Sequence, residues 1–256
     1  MKIRVLGAYG GHGAEGPGQR PAAFLVDDRI LVDAGSVTSA LGHSEQLPIE
    51  HALLSHAHLD HVVGLAFLAE SLSFETRLRP VTVASVEPVV SAVRTGIFNN
   101  VIWPDFAQIP AESPVLDYRN LVEDTEQQVG HLSVTPVAVT HSVPAVGFVA
   151  HDGNTGFVYS GDTGPTTALW QAMRRFNGIR AVILECAFPN RLGHIAKLSC
   201  HMTPALIERE LEKMPPDIPV WIFHVKPSFY EETAAELARI PGGRVSVIEQ
   251  DKTYSL

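Results

Sequence analysis

His56-Ala57-His58-Leu59-Asp60-His61 places three imidazoles and one carboxylate in six consecutive positions. The apolar run Ala52-Leu53-Leu54 precedes it, and Val62-Val63-Gly64-Leu65-Ala66-Phe67-Leu68 follows. Imidazole and carboxylate are the ligand types that suit zinc, iron and manganese. A cluster held between a buried strand and an apolar helix has the rigidity that a metal site requires. A polar loop with chance histidines would lack this setting. An affinity tag would be terminal and would lack the aspartate.

The chain has 256 residues, enough for one large domain or two small ones. The expectation is a single domain over residues 1–256 with an aromatic insert at about 96–110. Hydrophobic content of 45% against 18% charged residues fits a soluble protein with a sizeable core. No apolar run approaches the ~20 residues of a membrane span, so no membrane partner is expected. The apolar part of residues 1–7 is too short for a secretory signal and reads as a first strand. Two cysteines, Cys186 and Cys200, make no disulfide framework. A reducing cytoplasm is then the default, with both as small core residues. A formal charge of -9 argues against broad capture of nucleic acid. Bound cations would offset that charge locally, which leaves room for a small anionic substrate.

Short apolar strands come first, at residues 2–6, 22–26, 29–32 and 51–54, with Asp27-Asp28 as a hairpin turn. A helix follows at 62–71, a strand at 81–84, and a helix at 88–95 opened by Pro88. A second strand set lies at 132–139, 145–150, 156–159 and 181–184, with a helix near 167–176. Thr203-Pro204 opens a helix to about 214, Thr203 being the N-cap. A strand at 220–223, a helix at 231–239 and a strand at 244–248 end the pattern. Two strand-rich sets, each with its own helices, imply an α/β fold: an αββα sandwich of two mixed sheets flanked by helices.

Further metal donors are expected where apolar strands give way to loops. His141 ends one strand, Asp162 lies in the turn Gly161-Asp162-Thr163-Gly164, and His224 ends Val220-Trp221-Ile222-Phe223. Any one strand-end histidine is more often structural. Three polar residues in order after the first cluster, all at strand ends, point to joint ligation.

This series resembles the metallo-β-lactamase fold, from the first strand to His224. By that resemblance His56, His58 and His141 would hold one metal, Asp60, His61 and His224 a second, and Asp162 would bridge them. A narrower resemblance is to class II cyclic-nucleotide phosphodiesterases. It rests on residues 56–65, on Ile97-Phe98-Asn99-Asn100-Val101-Ile102-Trp103-Pro104-Asp105-Phe106, on Glu185-Cys186-Ala187-Phe188 and on His224-Val225-Lys226-Pro227. It implies hydrolysis of 3′,5′-cyclic nucleotides, cAMP or cGMP, to 5′-monophosphates. Two divalent ions would serve as cofactors, zinc first, with manganese or iron as alternatives.

Paired divalent metals clamp attacking and leaving oxygens and lower the pKa of bound water toward ~7. The leaving alkoxide still needs a proton. Glu185, at a strand end, and His201, just before a helix, are the candidates, since a carboxylate that orients an imidazole makes a usable general acid. The same positions resemble a pair in tRNA 3′-processing endonucleases of this fold. Asp60 counts as both ligand and catalytic candidate. Phe98, Asn99, Trp103, Asp105 and Phe106 combine aromatic rings and polar groups that suit a base, or they are core. Lys226 could neutralise a phosphate oxygen. The run Gly7-Ala8-Tyr9-Gly10-Gly11-His12-Gly13 lacks the ending of a phosphate loop. It reads as a loop rimming the metal cleft, with His12 not a ligand. His43, His51, His131, His151 and His194 have no ligand context.

Two alternatives keep the fold. A tRNA 3′-end endonuclease would need a basic RNA-gripping arm, which resembling enzymes insert between the third-ligand histidine and the bridging aspartate. Only twenty residues separate His141 from Asp162. A lactone, β-lactam or thioester hydrolase is disfavoured by Asp60-His61 together with Glu185 and His201. A homodimer is left open by the apolar insert.

Overall fold

The computed structural model describes residues 1–11, 18–75 and 79–256. The first sheet is built from β1 (Lys2–Gly7), β2 (Ala23–Val26), β3 (Ile30–Ala34), β4 (His51–Leu53), β5 (Val81–Val86) and β6 (Leu116–Leu121). The second takes β7 (Gln127–Val129), β8 (Leu132–Ala138), β9 (Val146–His151), β10 (Gly156–Tyr159), β11 (Ile179–Glu185), β12 (Val220–Phe223) and β13 (Val245–Val247). β14 (Thr253–Ser255) returns to the outer edge of β1, with Lys2 opposite Ser255. Each sheet therefore has seven strands, in the orders β14-β1-β2-β3-β4-β5-β6 and β13-β12-β11-β10-β9-β8-β7. Each is antiparallel at one side and parallel at the other. The helices are α1 (Val37–Ala40), α2 (His43–Gln46), α3 (Leu59–Leu72), α4 (Glu87–Gly96), α5 (Ala168–Met173), α6 (Gly193–Ser199), α7 (Pro204–Leu211) and α8 (Tyr230–Leu237). The αββα sandwich of mixed sheets is thus the observed architecture.

The larger core lies between the sheets. Phe24 of β2 meets Tyr159 of β10 and Phe223 of β12 edge-on, at centroid distances of 5.5 and 5.6 Å. Leu65, Leu68 and Leu72 of α3 continue this core on the outer face of the first sheet, and Trp170, Ile207 and Leu237 form a second one over the other sheet. Asp27 and Asp28 both take positive φ, +46° and +59°, and Arg29 N–H donates to the Val26 carbonyl at 3.0 Å. Two left-handed residues make the turn whose twist matches a hairpin.

Strands β3 to β6 run parallel, as do β10 to β13, and β8 points the same way as β10 because β9 lies antiparallel to both. Ligand sites in such sheets form beyond the carboxyl ends of the strands. Some elements depart from the sequence pattern. α3 starts at Leu59 rather than 62, so Asp60 and His61 lie in its first turn. β6 carries buried leucines only at its two ends, Leu116 and Leu121, with polar residues between, and so shows no apolar alternation. His12 lies outside the described residues.

Gly64 fixes how closely α3 approaches β3. A Cβ there would lie 2.4 Å from the Ala34 carbonyl oxygen and 3.0 Å from the Val37 nitrogen. Gly64→Ala should destabilise by about 1–3 kcal/mol, the usual cost of overpacking. A thermal melt should show a fall in Tm of several degrees. Gly96→Ala, where nothing lies within 4 Å of the added carbon, should not fall. Equal Tm values for the two variants would refute the close approach.

Candidate metal centre

The first four donors leave the β4–α3 junction. The chain exits β4 through Leu54 and Ser55, and His56 is fully buried. His58 occupies the N-cap position of α3 with extended backbone and no side-chain capping bond, so its ring is free to face outward from the helix. Asp60 and His61 follow in the first turn, Asp60 near the positive end of the helix dipole. The second sheet supplies the rest. His141 follows β8, Asp162 follows β10 and His224 follows β12 directly.

These side chains converge. Donor atoms of His56, His58, His141 and Asp162 all lie within 4.8 Å of one another, and so do those of Asp60, His61 and His224. Asp162 stands between the groups. Its carboxylate oxygens are 3.6 Å from His56 Nε2, 3.3 Å from His61 Nε2 and 3.2 Å from His224 Nε2. His141 Nε2 lies 3.2 Å from His58 Nδ1, and His224 Nε2 lies 3.3 Å from Asp60 Oδ2. Yet His56 Nε2, His61 Nε2 and Asp162 Oδ1 are buried without any hydrogen-bond partner. Orphaned buried polar atoms are rare. Here they aim at a common centre, and nitrogen and carboxylate oxygen are the donors that divalent cations take. The residues fit a metal centre.

Burial pushes the imidazoles of His56, His58 and His141 below their ordinary range, and neighbouring histidines add to this for His56. Neutral rings keep lone pairs for ligation. Burial would do the same to His61, but the carboxylates of Asp162 and Asp33 outweigh it and lift its pKa above the ordinary range. Burial would raise Asp60, but the hydrogen bond and charge of His224, with His61, keep it far below the usual carboxylate range.

Asp33 belongs to the site and was not among the residues singled out from sequence. It is the next-to-last residue of β3, with φ +55°, and is fully buried. Its carboxylate accepts from Ser55 N–H and Ser55 Oγ–H at 2.7 Å, from His61 Nδ1–H at 2.6 Å and from Tyr159 O–H at 2.6 Å. A carboxylate only accepts, so it holds the Nδ1–H of His61 and leaves Nε2 as the ring nitrogen that faces Asp162. An aspartate closing the apolar strand Ile30-Leu31-Val32 was the available signal.

Glu185, the last residue of β11, is fully buried. It accepts from His201 Nδ1–H at 2.7 Å and from Thr163 N–H at 3.0 Å. His201 offers a ring nitrogen within 4.8 Å of donor atoms of Asp162 and His224. Burial alone would lower the His201 pKa, but the Glu185 carboxylate lifts it above the ordinary range. Lys226 stands on the same side, its ammonium 6.0 Å above the Phe188 ring. The glycine run reaches the centre too. Gly11 N–H donates to Asp60 Oδ2 at 2.8 Å, and a Cβ on Gly10 would lie 2.5 Å from the His224 carbonyl. Cys186 is buried as expected, but Cys200 is only half-buried. It ends α6 in a left-handed turn at φ +57°, and its carbonyl lies 3.4 Å from His141 Nδ1.

The aromatic segment is not gathered at the donors. Phe98 and Phe106 lie in the core. Asn99 caps its own turn, with Oδ1 accepting from Val101 and Ile102 N–H. Asp105 accepts from Gln108 and Ala107. Phe98, Asn99 and Asp105 border a separate hollow of about 390 Å³ shared with Arg94 and Asn120. Trp103 is half-buried against Phe67.

Asp33→Asn should loosen the tautomeric lock on His61. Loss of such a supporting partner typically weakens metal affinity ~10–100-fold. Competition with a chromogenic chelator should register that loss. Wild-type affinity in the variant would show that the Asp33 contact does not orient a ligand.

The fold has close relatives of known structure. The chain superposes on unliganded yeast PDE1 with a TM-score of 0.82, covering 98% of both chains at 17% identity. The metallo-beta-lactamase fold protein YhfI from Bacillus subtilis matches with a TM-score of 0.79, over 99% of both chains at 18% identity. In sequence, a Yersinia pestis protein named "Probable 3′,5′-cyclic-nucleotide phosphodiesterase" is 26% identical over 215 residues, 74% of this chain and 61% of that one. This chain thus spans about three-fifths of that relative's length. A shorter match, 32% identical over 88 residues, covers 32% of this chain and 28% of Ribonuclease Z from Halorubrum lacusprofundi. Residues 28–245 match the Beta-lactamase superfamily domain, and with the fold and the converging donors it follows that the chain belongs to that family.

Proposed function

We propose that this chain is a dinuclear metal-dependent phosphodiesterase that opens 3′,5′-cyclic nucleotides to nucleoside 5′-monophosphates. The observation that carries the reading is the Glu185–His201 couple set beside a converging His/Asp cluster. The name of the Yersinia pestis relative supports the substrate class. His56, His58 and His141 would hold one ion, Asp60, His61 and His224 the other, with Asp162 between them. Zinc is the first candidate, and manganese or iron would also suit these donors. Paired divalent ions supply Lewis acidity to the phosphate and make water a nucleophile near neutral pH.

The protein's own groups divide the remaining work. Water attacks phosphorus and the P–O3′ bond breaks, so O3′ must gain a proton. His201 donates it from Nε2, while Glu185 holds the Nδ1–H and keeps the ring charged. Asp60, its carboxyl held below the ordinary range beside His224 and His61, stays ionised and orients the attacking water. Lys226 lies on the His201 side of the centre, where it would add positive charge to the phosphate's surroundings. No helix among the described residues is long and apolar enough to cross a membrane. The free cysteines suit a cytoplasmic location.

A tRNA-processing reading draws on the Ribonuclease Z match. Between His141 and Asp162, however, the chain is occupied by β9 and β10, with no added arm. Metal-reconstituted protein tested on cyclic mononucleotides, pre-tRNA and a lactone separates the readings. Opening of a cyclic nucleotide is expected. Trimming of pre-tRNA with no cyclic-nucleotide turnover would overturn the proposal.

Elemental analysis of the reconstituted protein should give two ions per chain, and Asp162→Ala should lose at least one. One ion in both would remove the bridged pair.

His201→Ala should keep its metals and lose ~10²–10⁴-fold in turnover of cyclic nucleotides, the usual worth of a general acid. A nitrophenyl diester, whose leaving group needs no proton, should lose far less. Wild-type kcat should fall as pH rises through the elevated His201 pKa, and that limb should vanish in the variant. Equal losses on both substrates, or lost metal, would make His201 a ligand or structural residue.

A further inference from the structure

A cleft of about 760 Å³ opens at Asp60 and runs between α3 and α1. Leu59, Asp60, Val63 and Phe67 line one wall, at spacings that share one face of a helix. This wall is open. Phe67 is 46% exposed and Leu59 66%, while most of the helix's apolar residues are buried. Phe67 follows Asp60 by two helical turns, ~10 Å along the axis. That separation matches the reach of a nucleotide from its phosphate across the ribose to the base.

The ring of Phe67 is braced from behind. Trp103 meets it edge-on at 5.5 Å and 78°, and Trp103 Nε1–H donates to the Ala66 carbonyl at 3.1 Å. A braced, half-exposed aromatic ring loses little entropy when a second ring stacks on it. Ser36 and Gln19 also line the cleft, and Ser36 Oγ and Gln19 Oε1 are buried with no hydrogen-bond partner, Ser36 Oγ lying against Gly7. Ser36 is only 2% exposed. Arg20, which also lines the cleft, is already committed to the Leu6 carbonyl and to Asp251. An apolar cleft with no free cation among its described lining residues suits a flat, neutral ring.

We infer that this cleft is the nucleobase subsite: Phe67 is the stacking platform and Trp103 its positioning residue. The inference rests on the phosphodiesterase reading above. It moves base recognition from the aromatic segment itself to the helix that the segment supports.

The test compares a 3′,5′-cyclic purine nucleotide with the abasic 3′,5′-cyclic ribose phosphate, which offers the same bond and no ring. Wild-type protein should prefer the nucleotide in kcat/KM. In Phe67→Ala that preference should fall roughly tenfold or more, chiefly through KM, as for a lost stacking partner. Phe67→Tyr should retain it, and Trp103→Phe should lose part of it while kcat holds. A thermal melt of each variant shows that the fold is kept. Binding gives a second readout. A nucleoside 5′-monophosphate should perturb Trp103 fluorescence and ribose 5-phosphate should not, with the signal absent in Trp103→Phe. An unchanged preference in Phe67→Ala, or a wild-type enzyme that opens both substrates equally well, overturns the subsite and leaves the phosphodiesterase standing. A wild-type protein that opens neither substrate overturns both.

Discussion

The carboxylate of Asp33 accepts hydrogen bonds from both halves of the sandwich, and the geometry of the donor cluster depends on it. Ser55 precedes His56, His61 is held directly, and Tyr159 comes from the strand that leads to Asp162. A lone buried carboxylate would be prohibitively unstable. Four donors, the His61 imidazole among them, satisfy it. The network therefore aligns the first sheet with the second at the edge where the strands end. Just beyond Asp33 the chain has no room for a side chain. A Cβ on Gly35 would lie 2.0 Å from the Asp60 carbonyl oxygen. The aspartate and the glycine after it set how α3 presents its first turn.

Strain gathers in the same place. Most non-glycine residues with positive φ sit in surface turns. Asp33 and Cys200 instead touch donors, and His224 is itself one. Left-handed backbone is costly for residues other than glycine and persists only where surroundings over-determine it. At His224 the determinants are visible: its N–H donates to the Ala8 carbonyl at 2.7 Å, and Gly10 packs against its backbone. The glycine-rich run acts as a clamp on the last donor.

The donor motif was readable because four of its members lie within six residues, between an apolar strand and an apolar helix. His141, Asp162 and His224 were readable because apolar strands announce their own ends. Asp33 was not, because its role depends on Ser55, His61 and Tyr159, which only the folded sheets bring to it. The aromatic segment is a different case. Composition shows that Phe98, Trp103 and Phe106 are large and flat, but not which are enclosed. Two of them fill the core and the third supports Phe67, a residue that in sequence is one more apolar position of a helix. β6, with its polar middle, and the three-residue strands β7 and β14 lack the alternation that would reveal them.

The pairing of β14 with β1 also bears on how the chain acquires its structure. Hairpins such as β2–β3 and β8–β9 join neighbours in sequence and can close early. The outer side of β1 must wait for residues some 250 positions away, and such contacts form slowly. Until then β1 presents an unsatisfied ladder beside the apolar Ile3 and Val5, an invitation to pair with another molecule. Lys2 and Arg4 alternate with those residues along the strand. Their charges do for the unfinished edge what β14 later does for the finished one: they discourage a foreign strand from docking.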